Sequence, residues 1–131
     1  MTEQTINSAP ADFTALREAR VALLTTFRRN GAPVATPVGI RLAGEKVHFT
    51  TWTTTAKVKR IANNPRVTLA PCTRAGKPTG PAAPGIARRL AGAEADRALA
   101  EIRDSWFGRL WLLIYRLRGY EPAFYEVVPA Q

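Results

Sequence analysis

The chain has one cysteine and one histidine, and no aspartate or glutamate anywhere from Lys46 through Ala93. Each shortage excludes something. A lone thiol, Cys72, cannot build an internal disulfide framework and suits a reducing, cytoplasmic compartment. One His48 and one Cys72 do not make a typical zinc site. A Ser-His-Asp set or a cysteine nucleophile would have to use that same His48, so Cys72 reads as a buried, inert thiol and His48 as a strand surface residue. Rossmann and Walker glycine patterns are missing. No charged-then-apolar leader is visible at the start. The longest late apolar run, residues 110–115, is too short to span a bilayer and is flanked by Arg109, Arg116 and Arg118.

What is present is 131 residues with 46% hydrophobic and 22% charged content, the balance of one globular domain spanning 1–131. Nineteen Lys and Arg against ten Asp and Glu give a net charge of +9. That excess attracts nucleic acid, anionic membrane surfaces or acidic small molecules. The acids sit mostly towards the two ends, and the middle third is purely cationic.

Residues 1–11 read as a loose arm, and Asp12 as the cap of a short helix over 13–19 with Phe13 and Leu16 inward. Alternation then predicts strands over 20–27, 33–42, 46–51, 66–72, 85–91 and 123–128. Asn30-Gly31 predicts a tight hairpin with a type I′ turn. Pro37 removes a ladder donor and predicts an edge position or a bulge. Helical spacing predicts a basic helix over 54–62, with Val58 and Ile61 buried, ended by Asn63-Asn64-Pro65. A second helix is expected over 93–106, with Ala98, Leu99, Ile102 and Trp106 on one side, and a third helical stretch over 107–117. Residues 73–84 are a Gly/Pro-rich loop. The pattern is mainly β (α+β): about six short antiparallel strands in a closed or partly closed barrel, with peripheral helices.

The densest chemistry lies in Lys46 to Cys72, KVHFTTWTTTAKVKRIANNPRVTLAPC. Thr50, Thr51, Thr53, Thr54 and Thr55 crowd a strand-to-helix turn. Lys57 and Arg60 follow three residues apart, on one helical face. Hydroxyls, free N–H groups at a helix start and two cations would hold a phosphate. The bland alternative is a solvated basic face, but no glutamate at i±4 pairs with these cations. Arg74 and Lys77 are less specific; their loop is either solvated or folded over an extended acidic ligand. Trp106, Trp111 and Tyr115 read as core or dimer contacts. Interleaved with Arg103, Arg109, Arg116 and Arg118, they also fit a surface-lying amphipathic helix. An anion site without any acid, base or nucleophile set points to a bound organic cofactor that supplies the chemistry.

Two blocks, LLTTF-RRNGAPVATPV over 23–38 and FTTWTTTAKVKRIANNPRVTLAPC over 49–72, resemble the split β-barrel flavin/deazaflavin oxidoreductases. The nearest likeness is to the pyridoxamine-phosphate-oxidase-like (PPOX) class that uses coenzyme F420. The likeness covers roughly 13–128 and includes the T-x5-K-x2-R-x4-P-x-V spacing at Thr51, Lys57, Arg60, Pro65 and Val67. The loop CTRAGKPTGP and the following GIARRL look like one branch of that class. The resemblance implies an FMN-binding-type split barrel and a homodimer with cofactor sites at its interface. It implies that Thr50, Thr51, Ala56, Lys57 and Arg60 hold the cofactor phosphate. It places Thr36, Pro37 and Val38 against the deazaflavin ring, and Arg74 and Lys77 along its oligoglutamate tail. The implied activity is hydride transfer from reduced F420 to a small organic acceptor, with no side chain singled out as catalytic. The alternatives are an FMN protein on the same fold, a basic nucleic-acid-binding module, or a membrane-surface protein using 106–118. A nucleic-acid role lacks a helix-turn-helix, a zinc finger or an aromatic-plus-basic strand motif.

Overall fold

The alternating runs become strands where they are expected. In a computed structural model, which describes residues 13–130, the strands are β1 (Val21–Phe27), β2 (Pro33–Ala43), β3 (Lys46–Trp52), β4 (Arg66–Pro71), β5 (Ala83–Arg89) and β6 (Pro122–Pro129). They close a barrel in the order β1-β2-β3-β6-β5-β4, each neighbouring pair antiparallel. Inward residues follow the two-residue period: Leu24, Val47, Leu69 and Val127 have no exposed surface. Phe49 and Tyr125 face each other in register and stack, with ring centroids 5.1 Å apart.

The β1–β2 hairpin forms, but its turn is not the expected two-residue one. Arg28 N–H donates to Ala32 O at 2.9 Å, leaving a three-residue loop over 29–31. Gly31 ends it at a φ of 87°, where side chains are disfavoured.

The register of β2 shapes the barrel. Among the described residues, 33–39 pair only with β1, whereas Ile40 to Ala43 pair with β3. Thr50, Thr51 and Trp52 at the end of β3 pair only with β6. The two strands thus diverge at one barrel end, and Pro37 lies in the half of β2 whose second edge carries no ladder among the described residues. That agrees with an edge placement, and no bulge interrupts the register beside it.

Helix α1 (Ala56–Asn63) crosses that end. Its Ile61 is buried and Val58 packs on the barrel core, as the spacing predicts. The expected first helix is only a 3-10 turn over Thr14–Leu16, although Phe13 and Leu16 are buried as anticipated. Residues 1–11 and Asp12 lie outside the described residues.

The two late helices divide differently from the expectation. Helix α2 (Gly92–Arg103) stops early, and α3 (Trp106–Leu117) begins with Trp106. The cause is Ser105, whose Oγ accepts from Gly108 N–H at 3.0 Å and caps a new helix. Trp106 therefore leaves the buried side of α2 and is 69% exposed. Trp111 and Tyr115 instead stack on Trp52, each with centroids 4.6 Å away, and fasten α3 to the outside of β3. Gly108 permits the tight junction, because a Cβ there would collide with the Ile102 carbonyl. Gly108→Ala should cost about 1–3 kcal/mol in urea unfolding. Gly39→Ala, with its nearest atom 4.0 Å away, should cost little. Equal midpoints for both variants would contradict the close α2–α3 contact.

Candidate functional site

Strand alternation separates the threonines. Thr51 points inward and is buried, its Oγ1 3.2 Å from Thr55 Oγ1; Thr55 in turn donates to Trp52 O at 3.0 Å. Thr50 leaves β3 on the outer face. There it lines a cleft of about 480 Å³ under α2 and α3, together with Arg20, Arg41, His48 and Trp111. Thr51 and Thr50 therefore serve different sides of the wall.

Helix α1 starts directly after Thr55, whose hydroxyl joins that of Thr51 at the barrel end. Ala56 opens the helix, exposed, with no acidic residue in its first turn. Arg60 is half-buried and donates from Nε to Thr26 Oγ1 at 2.6 Å. Thr26 is itself buried and neutral, so this bond orients the guanidinium without cancelling its charge. The two terminal NH2 groups of Arg60 and the Lys57 ammonium meet no acceptor among the described residues. Burial, and secondarily the Arg60 charge, pull the Lys57 pKa below its ordinary value. Two half-buried like charges without a carboxylate are costly in the free protein and are relieved by an anion. The pair fits a phosphate on that ground.

The remaining expected residues take these places. Thr36 is half-buried and Val38 buried on the inward side of β2, while Pro37 is exposed outward. Arg74 and Lys77 are exposed on a folded loop, not a loose one. Thr73 N–H donates to Lys77 O at 2.9 Å, and Thr73 Oγ1 accepts from Lys77 N–H at 3.1 Å. A Cβ on Gly76 would lie 3.8 Å from both Leu23 and Pro37, so the loop tip rests on the outer β1–β2 face. The loop cations are thereby brought to the Pro37 side of the wall. Cys72 is half-buried, and burial pushes its thiol pKa up, away from nucleophile chemistry.

One polar cluster carried no signal in the sequence. Glu126 is buried on the outer face of β6, flanked in register by His48 of β3 and Arg88 of β5. His48 Nε2 lies 3.3 Å from Glu126 Oε2, and Arg88 donates to Oε1 at 3.0 Å. Arg88 also grips Glu94 of α2 through two 2.9 Å bonds. His48 is thus a tethered strand residue, not a free surface one; its Nδ1 is buried without a partner among the described residues. Burial acts to raise the Glu126 pKa, but the Arg88 and His48 hydrogen bonds and the Lys46 and Arg88 charges hold it below the usual carboxylate value.

The chain matches the pyridoxamine 5′-phosphate oxidase family over residues 10–119 and belongs to it. No curated protein matches the chain in sequence. Its fold is similar to a protein of unknown function, Atu2129 from Agrobacterium tumefaciens (17% identity, TM-score 0.70, 97% of this chain). This chain spans only 55% of that protein's length. It is similar to an F420 reductase (17% identity, TM-score 0.60, 90% of this chain and 92% of that one). It is also similar to HutZ, a haem storage protein from Vibrio cholerae (13% identity, TM-score 0.65, 98% and 90%). At such identities these likenesses speak for the fold.

The Glu126 cluster makes a pH prediction. A carboxyl with a depressed pKa stabilises the fold above its unfolded value near 4.5, and that contribution is lost as pH falls through the lower folded value. Glu126→Gln should cost about 1–3 kcal/mol at pH 7 and shrink progressively in effect towards pH 3. Urea midpoints across that range check it; a pH-independent difference would contradict the assignment.

Proposed function

We propose that this chain is a deazaflavin-binding oxidoreductase that uses coenzyme F420 to reduce a small organic acceptor. The observation that carries the reading is the half-buried Lys57–Arg60 pair of α1, its Arg60 oriented by Thr26 and neither cation opposed by an acid among the described residues. Membership of the pyridoxamine 5′-phosphate oxidase family and likeness to an F420 reductase support it. The bound deazaflavin would supply the hydride chemistry. Lys57, Arg60, Thr51 and the N–H groups of Ala56 and Lys57 would hold its phosphate. Thr36, Pro37 and Val38 present the half of β2 whose second backbone edge is unpaired among the described residues, suited to the polar rim of a flat ring. Arg74 and Lys77, exposed and free of ion pairs among the described residues, suit an acidic tail running past Pro37. That favours F420 over the shorter FMN. A homodimer completing two such sites, and a cytoplasmic setting for the single thiol, belong to the same proposal.

The haem-storage likeness finds little support in the side chains. The one histidine has Nε2 at Glu126 and Nδ1 buried, so axial ligation would require breaking that cluster.

Titrating the protein into F420 and following quenching of its fluorescence tests the reading. Micromolar or tighter binding is expected, falling about 100-fold or more in Lys57→Ala/Arg60→Ala. A yellow preparation that does not bind F420 would instead indicate FMN. Lys57→Met separates binding from folding. Because the Lys57 pKa is lowered, removing its charge should leave the Tm unchanged or higher while weakening binding. A lowered Tm with unchanged affinity would make Lys57 a structural residue and overturn the site.

A further inference from the structure

Helix α3 is apolar on two sides. Gly108, Trp111, Leu112 and Tyr115 turn towards the protein, yet Trp106, Phe107, Leu110, Leu113, Ile114 and Leu117 are between 42% and 78% exposed. Projected at 3.6 residues per turn, these six fill one arc of about 120°. A contiguous exposed apolar stripe of this size marks a surface that is covered by something. No helix among the described residues is long and apolar enough to cross a membrane, so the stripe is not part of a span.

The neighbouring chemistry indicates what covers it. Arg109 and Arg116 border the arc on one side. With Arg103 from α2 they line a groove of about 590 Å³, floored by Leu99 and Leu112 and containing one acid, Glu121. None of the three guanidiniums meets an acceptor among the described residues. Helix α3 itself has no Asp or Glu, and Arg118 follows it directly. Apposing two copies of this face would bring cationic rows together, with Glu121 the one acid that lines the groove. An anionic lipid surface supplies the opposite charge and the apolar medium at once.

We infer that α3 is a membrane-docking element. Its apolar stripe lies in the headgroup/acyl boundary of an anionic bilayer, and the Arg103–Arg109–Arg116 groove receives a lipid phosphate. Trp106 at one end and Tyr120 just beyond the other suit the interfacial level, where aromatic rings with a polar edge collect. The inference stands apart from the cofactor reading, because α1 and its cations take no part in it.

Vesicle co-sedimentation of the full chain tests it, using phosphatidylglycerol-containing and pure phosphatidylcholine vesicles, with sedimentation velocity on the same samples. Binding to the anionic vesicles at least tenfold tighter than to the neutral ones is expected. Leu113→Glu/Ile114→Glu, both exposed positions, should abolish it, and Arg109→Ala/Arg116→Ala should weaken it about tenfold or more. Both variants should keep the wild-type far-UV spectrum and F420 affinity. No vesicle binding by the wild type, equal binding to both lipids, or binding untouched by either variant would overturn the inference. So would a wild-type dimer that ignores vesicles and falls apart in Leu113→Glu/Ile114→Glu; α3 would then be a contact between copies.

Discussion

The change of partner along β2 sets up the rest of the molecule. Up to Gly39 the strand belongs to β1; from Ile40 it belongs to β3. Closing a six-stranded barrel with that register leaves β2 and β3 apart at one end, and α1 is the segment that leaves β3 there. The helix puts Ile61 and Val58 into the core and keeps the adjoining face, with half-buried Lys57 and Arg60, at the opening. Arg60 is then within reach of Thr26, an inward residue near the end of β1, and its guanidinium is fixed beside Lys57. A continuous β2–β3 ladder would have removed both the opening and the reason for a helix to fill it.

The distribution of acids gives that opening its meaning. Where this chain uses cations structurally, it pairs them: Arg88 with Glu94 and Glu126, and Arg41 with Glu101. The pairs to Glu94 and Glu101 bind α2 to the barrel wall. At α1, in the loop over 73–84 and on the flank of α3, the cations form no ion pair among the described residues. Unpaired charge that is partly buried opposes folding, as the lowered Lys57 pKa reflects. Such an arrangement is expected where stability has been given up for binding. The regions at α1 and α3 differ in character. That at α1 has its half-buried Arg60 bonded to the buried Thr26 hydroxyl; that at α3 borders an exposed apolar stripe.

Much of the fold was legible because it depends on local rules. Period-two alternation places the β1 to β4 strands to within a residue or so, Asn30-Gly31 marks the first turn, and Pro65 marks the end of α1. The candidate anion site was legible for the same reason, since threonines, Lys57 and Arg60 are neighbours in the chain. What escaped depends on residues far apart in sequence. Nothing local tells that Glu126 lies between His48 and Arg88, because that follows from β6 inserting between β3 and β5. The α2–α3 boundary was lost because Ala98, Leu99, Ile102 and Trp106 keep helical spacing through the Ser105 cap. Thr50 and Thr51 look equivalent in a list of hydroxyls and are separated only by the pleat. The contact of the Gly76 loop tip with Pro37 was likewise beyond any sequence pattern.

The central claim is that Lys57 and Arg60 are held unpaired in order to grip a phosphate. Calorimetric affinities for F420 and for the same deazaflavin chromophore lacking phosphate and tail test it most directly, at two salt concentrations. The account predicts at least about 100-fold weaker binding of the phosphate-free chromophore, with salt weakening F420 binding and leaving the other nearly unchanged. Equal affinity for the two molecules would contradict it.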